Sequence, residues 1–124
     1  MGHKIAIIED DSVIRQMYRM KFENENFDVQ VADNGKDGVA LVETMRPDII
    51  LLDIHMPVMN GADALEKIRS ESWGKHIPVI ILTNLGEEES PKNIRALGIH
   101  SYIVKADYTP RQVVARVIDA LKKE

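Results

Sequence analysis

Short apolar runs alternate with helix-period segments at a steady interval along this chain. Ile5-Ala6-Ile7-Ile8 is the first run and ends in Glu9-Asp10-Asp11. Phe27-Asp28-Val29-Gln30-Val31 alternates strictly, as a strand with one polar face does. Ile49 to Leu52 ends at Asp53, Val79 to Leu82 at Thr83, and Tyr102-Ile103-Val104 at Lys105. Continuous apolar runs of this kind are expected of strands covered on both faces. Between the runs, Gly38, Leu41, Val42 and Met45 recur at helical spacing after Asn34-Gly35, and Pro47 closes that helix. The last helix is the clearest: Val113, Val114, Val117, Ile118 and Leu121 form one stripe, with Arg111, Arg116, Lys122 and Lys123 away from it. Thr109-Pro110-Arg111-Gln112 starts it with a threonine cap, proline at the first helical position and glutamine three residues after the cap. Ser12 to Glu25 is a weaker helix, since Lys21 interrupts a face rich in Met, Tyr and Phe. The fourth helix is expected to be short, with Ser90 as its cap, because Pro91 cannot sit deep inside it. Five strands alternating with five helices predict an α/β sandwich, a parallel sheet between helix layers. No repeat, linker or low-complexity tract breaks the pattern, so residues 1–124 are expected to form one domain.

Composition narrows the function classes. The chain has 124 residues and no cysteine, which removes disulfides, thiolate catalysis and cysteine-ligated metal sites. The longest apolar runs, Ile49–Leu52 and Val79–Leu82, are four residues each, against about 20 needed to span a bilayer. The start, Met1-Gly2-His3-Lys4, lacks the apolar stretch of a signal peptide, so the cytoplasm is the default compartment. The net charge of −4 disfavours non-specific contact with DNA or anionic lipid, which needs excess Lys and Arg. No direct nucleic-acid or membrane partner is therefore expected.

The chemistry-bearing residues fall at strand ends. Glu9 and Asp10 follow the first strand, Asp53 the third, Thr83 the fourth and Lys105 the fifth. In an open parallel sheet all carboxyl ends share one edge, where ligands bind at the switch of strand order. Clustered carboxylates repel one another unless a cation is present, and an all-oxygen set suits Mg²⁺ with retained waters. With such an ion offsetting charge on the phosphoryl oxygens, a carboxylate can act as a nucleophile toward phosphorus. A lysine and a hydroxyl supply further donors to that group. Each residue alone has a plainer role: Asp11 or Ser12 as a helix cap, Asp53 as a strand-end turn residue, Thr83 and Lys105 as ordinary strand ends. Only their coincidence on one rim favours function. His3, His55, His76 and His100 lack ligand spacing and read as surface histidines, the six methionines read as core filler, and Glu87-Glu88-Glu89 reads as a solvated turn or loop.

At these residues the chain resembles the receiver domain of bacterial two-component response regulators, from Lys4 to the last helix. The pieces that carry the resemblance are Ile8-Glu9-Asp10-Asp11, Leu52-Asp53-Ile54-His55-Met56-Pro57-Val58-Met59-Asn60-Gly61, Val79 to Thr83, Ala96-Leu97-Gly98 and Tyr102-Ile103-Val104-Lys105. The resemblance implies a flavodoxin-like, doubly wound (βα)5 sandwich with a parallel five-stranded sheet in the order 2-1-3-4-5. It implies Asp53 as phosphoacceptor. Asp10, Asp53 and the backbone carbonyl of His55 would bind Mg²⁺, with Glu9 acting through a metal-bound water. Thr83 would donate to the phosphoryl group, Lys105 would pair with it, and Tyr102 would turn inward as Thr83 moves. That motion would reshape the surface of helix four, strand five and helix five. The implied donor is a phosphohistidine on a sensor histidine kinase or phosphotransfer protein, docking near helix one, and the implied output is control of a downstream protein or attached domain. Such a chain is a phosphoprotein of phosphorelay signal transduction, promoting only its own phosphorylation and dephosphorylation. It is a monomer or a weak phosphorylation-linked dimer.

Three positions depart from the family pattern. Ala106 stands where the family usually has proline after a cis bond. A cis bond before a non-proline residue costs about 2.5–4 kcal/mol, so either the loop carries that strain or Lys105 is aimed differently. Asn84 is larger than the usual small residue after Thr83, and His55 and Leu85 occupy variable positions that tune phosphoryl lifetime. Ala106 and Asn84 motivate a second reading, a receiver-like interaction module independent of phosphorylation. A third is a metal-dependent phosphatase with an aspartyl nucleophile, which wants a carboxylate two residues after the nucleophile, where His55 stands. A flavin-binding module is weaker still, since its phosphate loop should be rich in Ser, Thr and Gly, not Glu-Asp-Asp.

Overall fold

A computed structural model describes residues 2–122, so the expected placement of Lys123 lies outside the described residues. Five strands, β1 (Lys4–Ile8), β2 (Asp28–Ala32), β3 (Ile49–Leu52), β4 (Val79–Thr83) and β5 (Ser101–Val104), pair in parallel in the order β2-β1-β3-β4-β5. This is the flavodoxin-like sheet. Every apolar run of the sequence became a strand because each side chain in it has a helix layer to face. Ile5, Ile7, Ile49, Leu51, Ile80, Leu82 and Ile103 project to one side, onto α1 (Ser12–Asn24) and α4 (Pro110–Lys122). Ala6, Ile8, Ile50, Leu52, Val79 and Ile81 project to the other, onto α2 (Gly35–Met45) and α3 (Gly61–Ser70). Alternation along a strand thus builds two cores from a single sheet.

The helix signals work as the chain implies. Asp11, rather than Ser12, caps α1, its carboxylate accepting from the amides of Val13 and Ile14. Thr109 accepts from the Gln112 amide while the Gln112 side chain accepts from the Thr109 amide, a reciprocal cap for α4. One expectation fails. Between β4 and β5 there is no fourth α-helix, only a 3₁₀ turn at Glu87–Glu89 followed by turns, so four α-helices flank the sheet among the described residues. Ser90 does not cap a helix; its hydroxyl donates back to the Glu87 carbonyl. The physical reason is length. Pro91 and Gly98 leave fewer than two turns between them, too few to recover the cost of helix nucleation. No described helix is long and apolar enough to cross a membrane.

Candidate functional site

The strand order reverses between β1 and β3, and β1 and β3 each keep ladder bonding one residue past the strand, β1 to β2 and β3 to β1. The Glu9 amide donates to the Ala32 carbonyl and the Asp53 amide to the Ile8 carbonyl, both at 3.0 Å. Strand alternation therefore carries through to Glu9 and Asp53. They continue the rows Ile5-Ile7 and Ile49-Leu51 on the α1–α4 side of the sheet, and both are buried, Glu9 at 4% and Asp53 at 6% exposure. Asp10, one residue on, is exposed. A cleft of about 310 Å³ opens over them, lined also by His55, Thr83, Asn84 and Lys105. All five strand-end residues singled out in the sequence meet in this cleft.

Lys105 supplies the counter-charge. Its ammonium lies 2.7 Å from Glu9 Oε1 and 3.2 Å from Asp53 Oδ2. No cis peptide bond occurs among the described residues, so the Lys105–Ala106 bond is trans and the lysine reaches Asp53 all the same. The strain of a cis bond before Ala106 is therefore absent. The remaining carboxylate oxygens are fixed by backbone: the Asp11 amide donates to Glu9 Oε2 at 3.0 Å and the Ile54 amide to Asp53 Oδ1 at 2.7 Å. Burial pushes the Glu9 carboxyl up to about 7, outweighing the lowering by the Lys105 and Asp11 hydrogen bonds. Burial acts to lower Lys105, but its bond to Glu9 and the charges of Asp53 and Glu9 leave it above its ordinary value. One carboxylate oxygen from each of Glu9, Asp10 and Asp53 lies within 4.8 Å of the others. With Lys105 present and all groups ionised, the cluster carries two net negative charges. An all-oxygen donor set of that charge fits a hard divalent cation.

Other parts of the cleft are held by contacts that sequence reading missed. Arg15, on α1, donates through Nη1 to the carbonyls of Glu9 and Asp10 at 2.9 and 3.2 Å, bracing the backbone that presents both carboxylates. Its i+5 and i+6 spacing was the available signal, but carbonyl acceptors carry no residue type. Gly61 starts α3 where a Cβ would overlap the Asp53 carbonyl oxygen, and its amide donates to Ile54 at 2.7 Å. The preceding loop turns tightly at Val58, whose φ of 68° is unusual for a β-branched residue, with the Met59 amide bonded to the Pro57 carbonyl. Thr83 is 1% exposed, and its hydroxyl accepts a long 3.4 Å bond from the Leu85 amide. Tyr102 is half-buried against the α2–α3 core, and its hydroxyl donates to the Leu85 carbonyl at 2.9 Å. One peptide unit on either side of Leu85 thus joins Thr83 to Tyr102.

Comparison with known proteins gives a consistent result. The family model described as response regulator receiver domain matches residues 5–118. The chain is 37% identical over 120 residues to the transcriptional regulatory protein ResD of Bacillus subtilis, covering 97% of this chain and 48% of ResD. It spans about half the length of the curated relatives it matches. Among solved structures, the Francisella response regulator 1452 receiver domain superposes with a TM-score of 0.86 at 30% identity, covering 98% of each chain. The chemotaxis response regulator CheY4 of Vibrio cholerae superposes with a TM-score of 0.86 at 26% identity, over 98% of this chain and 99% of that one.

Proposed function

The chain belongs to the response regulator receiver domain family, and on that footing we propose that it is a phosphorylation-dependent switch that takes its phosphoryl group on Asp53. The carrying observation is the setting of that carboxylate: buried, 3.2 Å from the Lys105 ammonium, and within 4.8 Å of carboxylate oxygens from Glu9 and Asp10. In the proposed reaction an Asp53 oxygen attacks phosphorus in a phosphohistidine of a sensor kinase or phosphotransfer protein. The P–N bond breaks, the imidazole leaves with a proton, and an acyl phosphate remains. Asp10, Asp53 and the His55 carbonyl would hold Mg²⁺, with Glu9 behind a bound water. When present, the ion offsets charge on the transferring oxygens. Lys105, relieved of part of its pairing to Asp53, turns to the phosphoryl group, and the Thr83 hydroxyl donates to it.

The same reading gives the output. Phosphorylation adds about −1.5 to −2 charge and three acceptor oxygens. Each new charged hydrogen bond contributes about 1.5–3 kcal/mol, enough to move a two-state equilibrium. Drawing Thr83 toward the phosphoryl group pulls on the Leu85 amide. Tyr102 holds the adjoining carbonyl, so the surface of the β4–β5 connection, β5 and α4 changes with it. A downstream protein or attached domain reads that surface. Residues 1–124 act as one receiver unit in this scheme.

The test is direct. Incubation with Mg²⁺ and acetyl phosphate is expected to add one phosphoryl group by intact-mass measurement, with none added to Asp53→Asn. Equal gain in Asp53→Asn, or no gain in wild type, would sink the reading.

A further inference from the structure

Of the three carboxylates that meet in the cleft, Glu9 and Asp53 are buried and hold Lys105 between them. Asp10 is exposed, so packing does not set its place. It belongs to the turn that joins β1 to α1, and its position follows from the backbone of that turn. One residue gathers that backbone. Arg15, half-buried on the first turn of α1, takes three successive carbonyls. Its Nη1 donates to Glu9 at 2.9 Å and to Asp10 at 3.2 Å, and its amide donates to Asp11 at 2.9 Å. The amide bond is the ordinary first rung of a helix. The other two reach back five and six residues, beyond what helix geometry supplies.

The peptide unit between Asp10 and Asp11 is held at both ends. Its carbonyl accepts from Arg15, and its N–H donates to Glu9 Oε2 at 3.0 Å. A peptide is planar, so fixing the direction of the carbonyl fixes that of the N–H. Arg15 therefore acts on two carboxylates through one plane. It sets Asp10, whose Cα the plane carries, and Glu9, whose Oε2 the N–H holds. A guanidinium suits the task, because Nη1 carries two N–H groups on a rigid, permanently charged fork. Its charge works the other way. A cation beside an acidic cluster repels a second cation, so Arg15 can aid metal binding only through geometry.

We propose that Arg15 is a positioning residue of the acidic site, orienting the Asp10–Asp11 peptide so that Glu9 and Asp10 converge with Asp53 on one cation. The consequence for metal affinity rests on the Mg²⁺ reading of the cluster; the hold on the peptide does not.

Arg15→Met keeps an unbranched, helix-favouring side chain and removes the donors, whereas Arg15→Lys keeps the charge without the fork. Mg²⁺ binding is followed by calorimetry, and amide exchange by ¹H–¹⁵N NMR of the metal-free chain. Arg15→Met is expected to bind Mg²⁺ roughly 10-fold more weakly, with Arg15→Lys between it and wild type. The Asp11 amide should exchange several-fold faster in Arg15→Met. The Glu9 amide, bonded to Ala32 in the ladder, should keep its rate. Mg²⁺ bound by Arg15→Met as tightly as by wild type, or more tightly, overturns the proposal, because charge repulsion would then outweigh any geometric role. Equal quickening at Asp11 and Glu9 also overturns it, since the whole strand end would have loosened. A wild-type chain that does not bind Mg²⁺ removes the metal reading, and the Asp11 amide set against the Glu9 amide still decides whether Arg15 holds the peptide.

Discussion

The carboxylate cleft and the β4–β5 connection adjoin on one sheet edge, yet they are secured by opposite means. In the cleft, Glu9 and Asp53 sit on backbone still engaged in the strand ladder, are buried, and share one ammonium. In the connection, residues 85–98 have no α-helix and bury one side chain completely, Ile94 at 1% exposure. Side chains from elsewhere fasten it by its carbonyls: Tyr102 at Leu85, and Arg69 at Leu97 and Gly98 at 2.8 and 2.7 Å. A surface pair between Glu87 and Arg95 adds little in water. The region proposed to receive the phosphoryl group is held by buried, paired groups, while the region proposed to report it has few buried contacts, the pattern expected of an element that moves.

The largest effect that would test this contrast comes from removing the counter-charge. Lys105→Met leaves two buried carboxylates unneutralised and is expected to cost the metal-free protein roughly 3 kcal/mol. Saturating Mg²⁺ should recover most of that loss in thermal or denaturant unfolding. Equal losses with and without the ion would mean that Lys105 is not part of the charge balance of the cleft. The next effect is one of pH. Glu9 is raised from 4.5 to about 7 in the folded chain, so the folded state binds the extra proton. The stability this contributes is fully present below about 4.5, is lost as pH rises to about 7, and is flat above. A fall on the order of 2 kcal/mol across that window is expected without metal, and Glu9→Gln should flatten it. A chain equally stable at both ends would show that burial does not govern Glu9.

For the connection, Ile94→Ala removes its main apolar anchor. The loss is expected to be about 2 kcal/mol, the low end for such a change, because neighbouring turns can settle into the space. Amide exchange should quicken at Ile94, Leu97 and Gly98, which are bonded within the turns, and stay unchanged in β1 and β3. Exchange quickening across the whole sheet would show the connection to be as cooperative as the cleft.

The same contrast explains how much of the molecule could be read from the chain. All five strands were legible because apolar runs flanked by helical periods admit few other placements. The cleft was legible because each candidate ends such a run, so topology alone converges Glu9, Asp10, Asp53, Thr83 and Lys105. The fourth helix was misread because alternation of elements was extended to a segment whose Pro91 and Gly98 leave no room for it. Arg15, Arg69 and Tyr102 were beyond reach as partners, since each binds backbone carbonyls, which every residue has.

The smallest expected effect is also the most specific to the link between the two regions. Thr83 accepts from the amide of Leu85 and Tyr102 donates to its carbonyl, so each hydroxyl biases the same short stretch of backbone. Tyr102→Phe is expected to cost about 1 kcal/mol, the ordinary net worth of a hydrogen bond. Thr83→Val keeps the shape and removes the acceptor, and the 3.4 Å length of its bond argues for a smaller loss. If Leu85 transmits strain between them, the double variant should depart from additivity by about 0.5 kcal/mol or more. With Leu85 freed by either single change, the second hydroxyl has less to hold, so the double variant should lose less than the two singles combined. Strict additivity in denaturant unfolding would separate the cleft from the connection, and the route from Thr83 to Tyr102 would then have to bypass Leu85.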